Sequence, residues 1–218
     1  MKTRFGRHAL GAMLLALALA PAAQADVIDF EPAALAGVYL PGESFTQGAY
    51  TLSTLFDFGV IDTAAALGSQ APTGNATQFY FASNDGRLRL ARSDGLAFSL
   101  DGLSIAFVPL DPPSTQLTQL WAFGTRADGS AMAVGATYGT GNGSSFPFTG
   151  YQILGMTNLV SVEFRSCAGS DSLCSVPTLN NGQFAIDNIS VSVVPEPGAA
   201  LLMALGVAGL ALRRRTAR

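Results

Sequence analysis

The chain has 218 residues, of which 49% are hydrophobic and 12% charged: enough apolar material for one folded domain and too much for a disordered chain. Its one histidine, His8, and its one lysine, Lys2, sit at the extreme N-terminus. The rest therefore lacks a Ser-His-Asp or Cys-His nucleophile, a histidine-ligated metal and a lysine Schiff base. Between Asp26 and Val193, 14 acids face five arginines, a net charge of about −9 that repels nucleic acid.

Residues 1–25 read as a signal peptide and its helix. Lys2, Arg4 and Arg7 precede an apolar run from Ala9 to Ala20; Pro21 breaks it, and Ala23-Gln24-Ala25 is an A-x-A cleavage site for signal peptidase. The mature chain then begins at Asp26. A retained anchor fits less well, because the run is short for a membrane span.

Residues 26–193 read as one all-β domain. Leu88 and Leu90 alternate with Arg87 and Arg89; Val160, Val162 and Phe164 alternate with Ser161, Glu163 and Arg165; Phe79 and Phe81 flank Tyr80. Period two marks half-buried strands. Asn84-Asp85-Gly86 and Asp128-Gly129 sit between such runs as hairpin turns, and Asp94-Gly95 and Asp101-Gly102 mark corners. Ala33–Ala36 and Thr63–Leu67 each suit a short helical turn. Nine or ten strands predict a two-sheet antiparallel sandwich of jelly-roll type. In Phe184 to Val193 the apolar set begins on even positions and moves to odd ones after Asp187-Asn188. That shift requires a bulge or a change of sheet.

Cys167 and Cys174 are the only cysteines, and in an exported chain they predict one disulfide closing a short loop. Glu31, Glu43 and Glu163 are the domain's only glutamates. A pair of carboxylates suitably spaced would serve glycoside hydrolysis, although Glu163 lies where a solvated charge is the default. Trp121, Tyr80 and Tyr138 are candidate sugar-stacking side chains. Tyr80 and Tyr138 are expected to face outward, while Trp121 alternates with Phe123 and suits core packing better than stacking. Arg87, Arg89 and Arg92 form a basic patch suited to an anionic polysaccharide or to pairing with surface aspartates. The threonines are scattered without a T-x-T ladder, which argues against ice binding.

Residues 194–218 close the chain with Pro195-Glu196-Pro197, an apolar run over 199–212 and the tail 213–218, which opens with Arg213-Arg214-Arg215. The run predicts a single short transmembrane helix, and the arginines are expected to stay on the cytoplasmic side. This order of motif, helix and basic tail resembles the PEP-CTERM sorting signal of Gram-negative bacteria. The resemblance implies a transient inner-membrane anchor, processing by an exosortase near Pro195, Glu196 and Pro197, and release to the cell surface or an exopolysaccharide matrix. Phe184 to Val191 is also similar to the last strand of many PEP-CTERM ectodomains and of jelly-roll carbohydrate-binding modules, as Val27 to Glu31 is to their first strand. That likeness implies neighbouring first and last strands. It also implies a structural calcium held by Asp187 with Asp29 or Glu31, against the plainer reading of Asp187 as a bulge residue bonding backbone donors. The expectation is a non-enzymatic exported envelope or matrix protein binding exopolysaccharide. The alternatives are a carboxylate glycosidase and a purely structural surface protein.

Overall fold

A computed structural model describes residues 25–68, 71–108, 118–137, 147–168 and 182–194, together with Gly206. Short alternating runs and Gly- or Asn-bearing turns give thirteen strands among them. In chain order these are β1 (Ala25–Ile28), β2 (Gly37–Tyr39), β3 (Ser44–Gln47), β4 (Tyr50–Leu55), β5 (Gly59–Thr63) and β6 (Gln78–Ala82). They continue with β7 (Arg87–Arg92), β8 (Phe98–Phe107), β9 (Thr118–Arg126), β10 (Ala131–Thr137), β11 (Thr149–Gln152), β12 (Leu159–Ala168) and β13 (Phe184–Val193). A 3-10 turn at Ala33–Leu35 and a one-turn helix, α1, at Ala64–Leu67 fall where short helical turns are expected.

The strands form two antiparallel layers within the unit Ala25–Ser192. The first runs β2-β5-β6-β13-β8, with β1 also on β13 and β11 on β8. The second runs β10-β9-β12-β7-β4-β3. The layers are stitched where Phe98 of β8 pairs with Leu159 of β12. Ile61, Tyr80, Ile105 and Ile186 of the first layer share one core with Leu52, Leu90, Val162 and Phe164 of the second. Fully burying each such side chain is worth roughly 1.5–3 kcal/mol.

The two outer faces differ. Phe79, Phe81, Ala106 and Ala185 point away from the shared core yet are buried, under α1 and Phe148. The first layer is therefore covered on both sides where β6, β13 and β8 meet. On the second layer β7 keeps a half-buried pattern, with Leu88 and Leu90 inside and Arg89 exposed. Among the described residues, nothing covers its outer face.

The phase break in β13 is a bulge. Phe184, Ile186, Ile189 and Val191 all reach the same core, and Asn188 takes a left-handed φ of 50° to make the shift. β13 pairs with β6 before the bulge (Ile186 opposite Tyr80) and with β1 after it (Ile189 opposite Ile28). First and last strands therefore lie side by side.

Three expectations need correction. Asn84-Asp85-Gly86 does make a tight turn, with Gly86 N donating to Ser83 O at 2.8 Å, but it is not a hairpin. β6 pairs with β5 and β13 while β7 pairs with β4 and β12, so this turn carries the chain between layers. Asp101-Gly102 lies inside β8, where the missing side chain admits the Tyr151 carbonyl of β11. Nine or ten strands undercounts thirteen, because β2, β3, β5 and β11 are too short for a periodic signal. By contrast, Asp128-Gly129 joins β9 to β10 as a true hairpin, with Gly129 at φ 83°.

Candidate functional site

Two rows of side chains cross the open face of the second layer, set by strand register. One row is Gly135, Trp121, Arg165, Arg87 and Leu55, from β10, β9, β12, β7 and β4. The next is Ala133, Phe123, Glu163, Arg89 and Ser53. Five strands at about 4.8 Å spacing make a face roughly 19 Å across.

Trp121 lies over Gly135: a Cβ there would come within 2.6 Å of indole Cε2. The glycine lets the indole rest against the β10 backbone, half-buried, while its Nε1 donates to Gln119 Oε1 at 3.1 Å. Phe123 follows, 6.0 Å away and tilted by 31°. The Arg165 guanidinium covers the Phe123 ring at 3.9 Å, and Arg87 covers Phe56 at the same distance. Such cation–π contacts are worth about 0.5–1 kcal/mol at exposed sites. Arg87 Nη1 also donates to Glu163 Oε1 at 3.0 Å. Phe56 is 61% exposed and sits at φ 65°, a backbone conformation rare for a bulky residue, and that conformation accompanies a ring laid beside Arg87.

Arg165 Nε is buried and has no hydrogen-bond partner. Burial, and then the charge of Arg87, press its pKa down, with Glu163 opposing; the guanidinium nevertheless stays protonated at any physiological pH. Arg87, Arg89 and Arg165 are three of the domain's five arginines, and Glu163 is the sole acid at the outward positions of β4, β7, β9, β10 and β12 among the described residues. A face of net positive charge thus sits on an acidic domain. Chemically it offers aromatic surface beside fixed guanidinium donors, the combination that receives rings bearing polar or anionic substituents.

The other candidates are placed as follows. Tyr80 is not outward: it is fully buried, and its hydroxyl lies 3.1 Å from Thr54 Oγ1 across the core. Alternation was the right period for β6, but that strand is covered on both faces, so neither neighbour parity reaches solvent. Burial accordingly pushes the Tyr80 phenol well above its ordinary pKa. Tyr138 lies outside the described residues. Arg92 leaves the basic patch: Arg87 and Arg89 face out, whereas Arg92 closes on Asp94 through Nε at 2.9 Å and Nη2 at 2.5 Å. That guanidinium holds the Asp94 carboxyl well below the usual carboxylate range. Arg165 takes its place on the face.

Asp187 is 1% exposed and accepts from Asn75 Nδ2 at 2.7 Å, Asn188 N at 2.7 Å and Asn188 Nδ2 at 2.9 Å. Burial pushes its pKa up to about 6; the hydrogen bonds oppose this, and the charges of Glu31 and Asp29 add to it. Asp29 accepts from Gln47 Nε2 at 2.6 Å and from Glu31 N at 3.1 Å. The three suggested calcium ligands are thus electrostatic neighbours, the contacts of Asp187 and Asp29 go to amide N–H groups, and no group of three or more His, Cys, Asp or Glu with metal-holding geometry occurs among the described residues. Glu163 is tied to Arg87, and Glu43 accepts from Leu40 N at 2.7 Å.

Cys167 is buried in β12, and the described residues include no free cysteine; Cys174 lies outside them. Pro195, Glu196, Pro197, Arg213, Arg214 and Arg215 also lie outside, as do 1–24 and the predicted helix 199–212 apart from Gly206. Among the described residues no helix is long and apolar enough to cross a membrane.

Sequence reasoning missed Phe56, Arg165 and Gly135 as parts of one face. Only the strand order β10-β9-β12-β7 brings them together, and that order is not written in any local pattern.

Residues 193–215 match the PEP-CTERM protein-sorting motif, so the chain carries a C-terminal sorting signal of exported proteins. No curated protein matches the chain. Among solved structures, a DUF4465 family protein from Bacteroides caccae aligns with TM-score 0.55 at 13% identity, over 78% of this chain and 100% of that one. A DUF4465 family protein from Bacteroides ovatus aligns with TM-score 0.47 at 9% identity, over 78% and 99%. The CBM22-1 xylan-binding domain from Paenibacillus barcinonensis aligns with TM-score 0.38 at 11% identity, over 80% and 97%. The first of these shows a shared β-sandwich fold and nothing about function.

Proposed function

We propose that this exported protein acts at the cell surface or in the extracellular matrix of a Gram-negative bacterium by binding exopolysaccharide across the open face of its second sheet, without catalysis. Signal peptidase removes residues 1–25, so that the mature chain begins at Asp26, within β1. The helix 199–212, stopped by Arg213, Arg214 and Arg215, holds the chain transiently in the inner membrane. An exosortase-type protease then acts near Pro195-Glu196-Pro197. A Cys167–Cys174 disulfide secures the loop leaving β12.

The observation carrying the binding reading is the cluster of Trp121, Phe123 and Arg165, laid out across two adjacent rows of a sheet face that nothing else covers among the described residues. An indole resting on a glycine presents its free face to solvent at small entropic cost, as rigid aromatic binding surfaces do. The test is a glycan array together with the producing cell's own matrix polysaccharide, using the full-length chain and its Trp121→Ala variant. Saturable binding weakened about tenfold or more by the substitution is expected. Absence of binding to every glycan, the native matrix included, leaves a structural surface protein instead.

A further inference from the structure

Resting on the polysaccharide-binding reading of the same face, we infer that the ligand class is an acidic, carboxylate-bearing polysaccharide rather than a neutral one. The carrying observation is where the charge lies. The domain is acidic by about nine charges, yet three of its five arginines are gathered on one outward surface that, among the described residues, holds a single acid, Glu163. In the register, Trp121 stands directly beside Arg165 and Arg165 beside Arg87. A ring stacked on the indole therefore lies beside the strand that carries Arg165, whose backbone runs about 4.8 Å away.

The three arginines differ in what they have left to give. Arg87 already donates to Glu163 and lies on Phe56. Arg165 lies on Phe123, and its Nε, sealed from water, has no acceptor. Arg89 is exposed. The like charge of Arg87 on the neighbouring strand costs Arg165 free energy. An incoming carboxylate lowers that cost. A neutral hydroxyl does nothing for the repulsion between Arg165 and Arg87. Planar guanidinium groups also suit carboxylates better than lysine would, and the domain uses arginine alone.

The experiment measures binding of the full-length chain to polygalacturonate, to the same polymer with its carboxyls methyl-esterified, and to double-stranded DNA. Saturable binding to polygalacturonate is expected, weakened about tenfold on esterification and similarly by raising salt from 0.1 to 0.5 M. Arg165→Gln and, separately, Arg89→Gln should each reduce it several-fold with an unchanged circular dichroism spectrum; the exposed Arg89 variant keeps the test alive if Arg165→Gln misfolds. Equal binding to the esterified polymer, or no loss in Arg89→Gln and a folded Arg165→Gln, overturns the inference. Binding only to neutral glycans, abolished in Trp121→Ala, overturns it while leaving the polysaccharide reading standing. Failure with every polymer and with the native matrix ends both. Equally tight binding to DNA reduces the face to unspecific charge attraction and also overturns the inference.

Discussion

Gly135 lies directly beneath the indole of Trp121, close enough that a Cβ would stand 2.6 Å from Cε2 and 2.7 Å from Cζ2. β10 thus serves as the support on which the ring rests. Gly135→Ala is expected to lift the indole and weaken polysaccharide binding several-fold. Stability should change little, because the position is exposed on an edge strand. Near-UV circular dichroism of the lone tryptophan, read beside the binding isotherm and the thermal midpoint, checks all three parts.

Gly59 fills a comparable role inside the core. A side chain there would overlap the Tyr80 ring and hydroxyl, which reach across to Thr54. The Tyr80 ring has no free space, being fully buried against Phe30 and Phe45. Gly59→Ala should therefore destabilise by about 1–3 kcal/mol through overpacking, with the Thr54–Tyr80 bond strained as well. Urea unfolding checks this. Tyr80→Phe is the control: it removes the hydroxyl and leaves Thr54 Oγ1 without that partner, for about 1–3 kcal/mol.

The sequence made some of this legible and hid the rest for identifiable reasons. The phase break at Asp187-Asn188 was readable because a period-two pattern cannot change phase without a bulge or a change of sheet, and the structure makes it a bulge. β12 and β13 were readable because they are long and clearly patterned. Tyr80 was misjudged because alternation reports two faces but not whether the second is covered; α1 and Phe148, which cover it, are distant in sequence. The binding face was hidden for a further reason. Arg87 and Arg165 are 78 positions apart, and only register places them opposite one another. Trp121 could be nominated from its chemistry, but its support at Gly135 and its neighbour Arg165 required the strand order.

Asn188 occupies the left-handed region at φ 50° and donates its amide to Asp187. Asparagine tolerates that conformation; a β-branched residue does not. Asn188→Val should destabilise by about 1–2 kcal/mol from the backbone alone. Asn188→Gly keeps the φ and loses only the side-chain bond, so it should be the milder variant. The ordering of the two in chemical denaturation is the check. Equal losses in both variants would locate the effect in the amide and not in the bulge.

Asp187 gives the fold a pH dependence opposite in sign to that of a salt-bridged aspartate. Burial, with Glu31 and Asp29 adding repulsion, lifts its folded pKa to about 6 from the ordinary 3.8. Between those values the folded chain keeps a proton that the unfolded chain has released. The group's contribution to stability is therefore fully present below the unfolded pKa and is lost as pH rises through about 6. Asp187→Asn cannot titrate. It also loses acceptor capacity toward Asn75 and Asn188, but that loss is the same at every pH and cancels in a comparison of two. The expected result is that the thermal midpoint of the variant, relative to the parent, is higher at pH 7.5 than at pH 5. A difference independent of pH would show that Asp187 keeps an ordinary carboxylate pKa despite its burial, with the Asn75 and Asn188 donors outweighing desolvation.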